Sequence, residues 1–90
     1  MNRTVVTVSG KDGIGTIAKI CMFFAENNIN ILDISQKSDN DRINMMMVVD
    51  ITGYKGSFRE LLDELNNIGN EIGQSIKAQH EEIFNMMHRI

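Results

Sequence analysis

Ile43-Asn44-Met45-Met46-Met47-Val48-Val49-Asp50-Ile51 carries an apolar side chain at every second position, from Ile43 to Ile51, without a break. A period of two marks a half-buried strand, because successive side chains leave opposite faces of the pleat. One face of this strand is wholly apolar; the other is mixed and carries Met46 and Val48.

Toward the N-terminus, Ser38-Asp39-Asn40-Asp41 supplies turn-forming side chains, and the stretch from Ile29 to Gln36 suits another strand. Asn27-Asn28 ends a helix that opens at Thr16, in which Ile17, Ile20, Cys21 and Phe24 have the spacing that gathers one face. Thr4-Val5-Val6-Thr7-Val8 is a β-branched first strand ending at Ser9-Gly10. Toward the C-terminus, Gly53-Tyr54-Lys55-Gly56 is a turn, and Ser57 with Glu60 forms a capping box for a helix whose buried stripe is Phe58, Leu61, Leu62, Leu65 and Ile68. Gly69 and Gly73 break the chain before a short strand around Gln74 to His80. Ile83, Phe84, Met87 and Ile90 then recur at helical spacing in a tail from Glu81 to Ile90.

The order β-α-β-β-α-β plus a tail helix predicts an α+β, ferredoxin-like fold: a four-stranded antiparallel sheet, two helices on one face and an extra C-terminal helix. Residues 1–80 read as the domain and 81–90 as a helical extension. The second sheet face, with Met46 and Val48, needs cover from the tail or from a second copy, so a homodimer is expected.

The 90 residues suffice for one core and not two. A net charge of −3, with Lys and Arg scattered along the chain, argues against a direct nucleic-acid partner. The single cysteine, Cys21, allows no internal disulfide and reads as core, not nucleophile. No membrane span or signal peptide is read, and a cytoplasmic location is expected.

Gly10-Lys11-Asp12-Gly13-Ile14-Gly15-Thr16 joins the first strand to the first helix. Glycines there permit a tight turn with helix N–H groups facing outward, where a carboxylate could dock; a turn holding no ligand is the other reading. The spacing is neither a Walker A loop nor a dinucleotide fingerprint. Asp12 is read as a helix cap or as a partner for a ligand's amino group. Asn28 reads as helix termination, and Asn30 could offer both donor and acceptor. His80 and His88 read as surface residues and a poor metal pair, and Glu81-Glu82 as a solvated helix start. Met45, Met46, Met47, Met86 and Met87 read as packing, in part as interface. No catalytic set, metal site or cofactor is expected.

Taken together, Gly10 through Ala18, Phe24-Ala25-Glu26-Asn27-Asn28-Ile29-Asn30-Ile31 and Asp33-Ile34-Ser35-Gln36 resemble the ACT domain family, and within it stand-alone proteins similar to the glycine cleavage system transcriptional repressor. The resemblance implies a domain that pairs with another ACT domain and binds an amino acid at their interface. The implied contacts are Asp12, Gly13, Ile14 and Gly15, with Asn30 and Ile31. Some serine-binding members carry a histidine where this chain has Gly10, so serine is not implied. The expected function is regulatory, with signalling to an unidentified protein partner; the alternative is a dimerisation module without a ligand.

Overall fold

The alternating stretch forms a strand whose inward residues Ile43, Met45, Met47 and Val49 are at most 2 % exposed. The computed structural model describes residues 2–11 and 15–87, with 38 and 39 described by backbone alone. The elements are β1 (Arg3–Lys11), α1 (Thr16–Glu26), β2 (Asn30–Asp39), β3 (Arg42–Asp50), α2 (Phe58–Ile72), β4 (Gln74–His80) and α3 (Glu81–Met87). The sheet order is β2-β3-β1-β4, antiparallel throughout. This is the expected ferredoxin-like plan.

Two strand ends differ from the sequence reading. β1 does not stop at Ser9-Gly10, because Gly10 and Lys11 still pair with Ile43 and Arg42. β2 continues past Gln36 to Asp39, because only Asn40 (φ 49°) and Asp41 (φ 66°) form the turn. Positive φ at both central residues is the twist-matched hairpin turn, so the flanking residues stay in the ladder.

Ile20 and Phe24 of α1 and Leu61 and Leu65 of α2 pack on Val6, Val8, Met45, Met47, Val49 and Ile76 of the sheet. Leu62, expected in the buried stripe, is half-buried, and Gly69 is buried on that helix instead. A Cβ on Gly69 would lie 2.6 Å from the Gln74 carbonyl oxygen, so its absence lets α2 approach β4 closely. Cys21 is half-buried against the core.

Both main helices lie on one face, and the molecule is correspondingly thin, 35 × 35 × 20 Å. α3 turns back from β4 onto the open face and packs against β1 and β4. Val5, which alternation places on that face, is consequently only 3 % exposed. The cover is partial: Met46 remains 37 % exposed, and Ile83, Met86 and Met87 of α3 are 48 %, 74 % and 65 % exposed.

Candidate functional site

The strand-to-helix connection brings β1 to the start of α1. Gly15 is the N-cap, with φ 81° and ψ −1°, a left-handed conformation that glycine adopts without strain. Having no side chain, it supplies no cap of its own, and no side chain among the described residues caps the α1 N-terminus; the first helical hydrogen bond is Lys19 N–H to the Gly15 carbonyl at 3.0 Å. The first-turn N–H groups of such a helix have no intrahelical acceptor. Asp12, Gly13 and Ile14, with the capping role considered for Asp12, lie outside the described residues.

At the strand end of the same connection stands a residue the sequence reading missed. Gln74 opens β4 opposite Gly10 and is 8 % exposed. Its side chain lies over Gly10 in the space a Cβ would occupy, and its Nε2 donates to the Lys11 carbonyl. Its Oε1 is buried and has no hydrogen-bond partner among the described residues. A buried acceptor without a donor is costly, about 1–3 kcal/mol, and marks a place where a donor group would be favoured. The available signal was alternation: Gln74 shares the inward face with Ile76, and a polar residue there breaks the apolar pattern.

Asn30 and Ile31 are not brought to this site within one chain. Asn30 pairs with Asp50 and, through it, aligns with Arg3, whereas Gly10 aligns with Ile43 and Ser38. The two positions therefore sit at opposite ends of the sheet, about 23 Å apart along the strands. Asn30 is exposed and Ile31 half-buried. The register shift between Ile31 and Asp33 marks a bulge at Leu32 that bends this edge. Asn28, at φ 58°, follows the α1 C-cap Asn27, whose Nδ2 donates to the Phe23 carbonyl at 2.8 Å. Both asparagines act in helix termination.

The remaining polar groups are structural in their contacts. His80 is a half-buried residue, not a surface one, because its ring stacks on Phe58 at 4.0 Å between centroids. Glu81 pairs with Arg3 at 2.9 Å. His88 lies outside the described residues. Asp50 accepts from the Thr52 hydroxyl (2.6 Å), the Thr52 N–H (3.0 Å) and the Asn2 N–H (3.2 Å), bonds that hold its carboxyl below the usual range. Burial, then the hydrogen bond to Glu64 at 3.0 Å and the charges of Glu64 and Glu60, push the Tyr54 phenol up to about 12. Among the described residues no group of three His, Cys, Asp or Glu side chains could hold a metal ion, and no helix is long and apolar enough to cross a membrane.

A family model for the ACT domain matches residues 4–70. A UPF0237 protein of Methanocaldococcus jannaschii is 48 % identical over 90 residues, the whole of both chains. Among solved structures, an ACT domain protein from Streptococcus pneumoniae superposes with a TM-score of 0.81 at 34 % identity, covering 92 % of this chain and 93 % of that one. A protein assigned as a glycine cleavage system transcriptional repressor has a TM-score of 0.73 at 15 % identity, covering 87 % of this chain and 44 % of its own, a likeness of fold. With βαββαβ topology, a left-handed glycine at the α1 N-cap and relatives matching along the full chain, this protein belongs to the ACT domain family.

Proposed function

We propose that this chain is a ligand-sensing regulatory protein, a homodimer that binds an amino acid between subunits and signals to a partner protein. The observation that carries this reading is the start of α1 at the left-handed Gly15, which no side chain among the described residues caps. First-turn N–H groups without an intrahelical acceptor and the positive end of the helix dipole favour a carboxylate there. At the other end of the same connection, the Gln74 Oε1 is an acceptor suited to an ammonium or hydroxyl group. An α-amino acid carries both complements on one carbon.

In this reading Asp12, Gly13, Ile14 and Gly15 of one subunit act with Asn30 and Ile31 of the other. Strand geometry favours such a division. A two-fold axis that paired two β2 edges would run them antiparallel, setting the second copy's Asn30 end beside the first copy's Asp39 end, where the Gly10–Gly15 connection lies. Ile34, midway along β2 on the helix-covered face, is still 46 % exposed, as an edge awaiting a neighbour would be.

Calorimetric titration of the dimer with each standard amino acid tests the reading, with saturable binding of one class as the expected result. Silence across all of them would leave the second reading, a dimerisation module without ligand, which the exposed Met46, Ile83, Met86 and Met87 favour.

A further inference from the structure

Lys11, Lys37, Arg42 and Lys77 are far apart in sequence, yet the strand register collects them on one half of the open sheet face, from its margin to its middle. One row across the sheet is Lys37, Asn44, Ser9 and Ser75. The row toward the sheet centre is Ser35, Met46, Thr7 and Lys77, and the row at the margin pairs Lys11 with Arg42, which is also paired with Asp39. These positions share the open face because they alternate with the buried Val6, Val8, Met45 and Met47. A depression of about 510 Å³ lies over them, lined by Lys37 and Lys77 from opposite sides and by Thr7, Ser9, Asn44 and Ser75 between.

Among the described residues no carboxylate lines this depression. The two ion pairs among the described residues, Arg3 with Glu81 and Arg59 with Asp63, use other cations. Ammonium groups around hydroxyl and amide donors suit an anion with many acceptor oxygens. Lys37 on β2 and Lys77 on β4 stand three strand spacings apart across the sheet and two residues apart along it, about 16 Å in all, so their long stems can reach toward an anion from both sides. Among the described residues no aromatic side chain lines the depression to stack on a nucleobase. A second copy docked face to face over this half would set like charges against each other.

We propose that this half of the open face binds a small molecule bearing linked phosphates, recognised through the phosphates and not through its organic part. The site is separate from the amino-acid reading and does not depend on it, since it uses the opposite face of the sheet.

Inorganic tripolyphosphate titrated into the full chain at low ionic strength is the test, read by calorimetry and by amide shifts of Ser9, Asn44 and Ser75. Saturable binding is expected, weakening as salt is raised. K37Q/K77Q should weaken it by about tenfold or more and K37R/K77R should restore it, with unchanged thermal melts because both lysines are exposed. Absence of saturable binding, or equal binding by K37Q/K77Q, would overturn the proposal. So would a single-stranded oligonucleotide that binds more tightly than tripolyphosphate, which would mark a nucleic-acid surface instead.

Discussion

Gly10 and Gln74 form a pair in which one residue's missing side chain makes room for the other's. Gly10→Ala would drive a methyl group into the buried Gln74 carboxamide, and overpacking of this kind costs about 1–3 kcal/mol. Gln74→Ala removes both the obstacle and the orphaned acceptor but also the donor to Lys11. In a double-mutant cycle followed by chemical denaturation, G10A is therefore expected to be markedly destabilising alone and much less so on the Q74A background. Additive effects would show that the two side chains do not compete for one space. Tyr54 offers a second test, since it is the only tyrosine in a chain without tryptophan. Its phenol is raised from 10.0 to about 12, so the folded state holds the neutral form more firmly than the unfolded one. The stability this contributes is fully present below pH 10 and is lost as pH rises toward 12. Phenolate absorbance should titrate near 12 in the native protein and at lower pH in Glu64→Gln; a native midpoint near 10 would contradict the burial and the Glu64 contact.

α2 illustrates how an element is written locally. Its Ser57 hydroxyl accepts from the Glu60 N–H at 3.1 Å while Glu60 accepts from the Ser57 N–H at 3.4 Å, the reciprocal box foreseen from sequence. Ser57→Ala should lower stability by about 0.5–2 kcal/mol, measured by urea denaturation with an unchanged m-value. Such features were legible because they depend on residues three or four apart, as were the period of β3 and the apolar stripe of α1. Strand ends were not, since Gly10 and Lys11 are held in β1 by partners on β3 that no local window contains. The candidate site divides in the same way. Gly15 was visible as a glycine beside a helix start, while Gln74 acquires its role only through a contact with Lys11 across 63 positions of sequence. α3 was visible as a helix, but its landing place on Val5 and β4 is set by tertiary packing.

For the whole molecule, one-sided coverage of a four-stranded sheet leaves the β2 edge and part of the open face exposed. Sedimentation at micromolar concentration is expected to show a dimer. Ile34→Asp, which places a charge at the middle of the β2 edge without touching the buried core, should shift it toward monomer with little change in the circular dichroism spectrum. A wild-type monomer would remove the support for a shared site. If the dimer forms, the separation of the Gly10 and Asn30 ends by most of a strand length makes the site depend on association. A pocket completed by a second copy exists only in the fraction of protein that has associated, so ligand occupancy follows mass action in the protein as well as in the ligand. Each ligand bound would tighten the subunits' grip on each other by the same factor by which association improves the pocket. Such a protein reports its own abundance together with the metabolite, and falls silent on dilution even when the metabolite is plentiful.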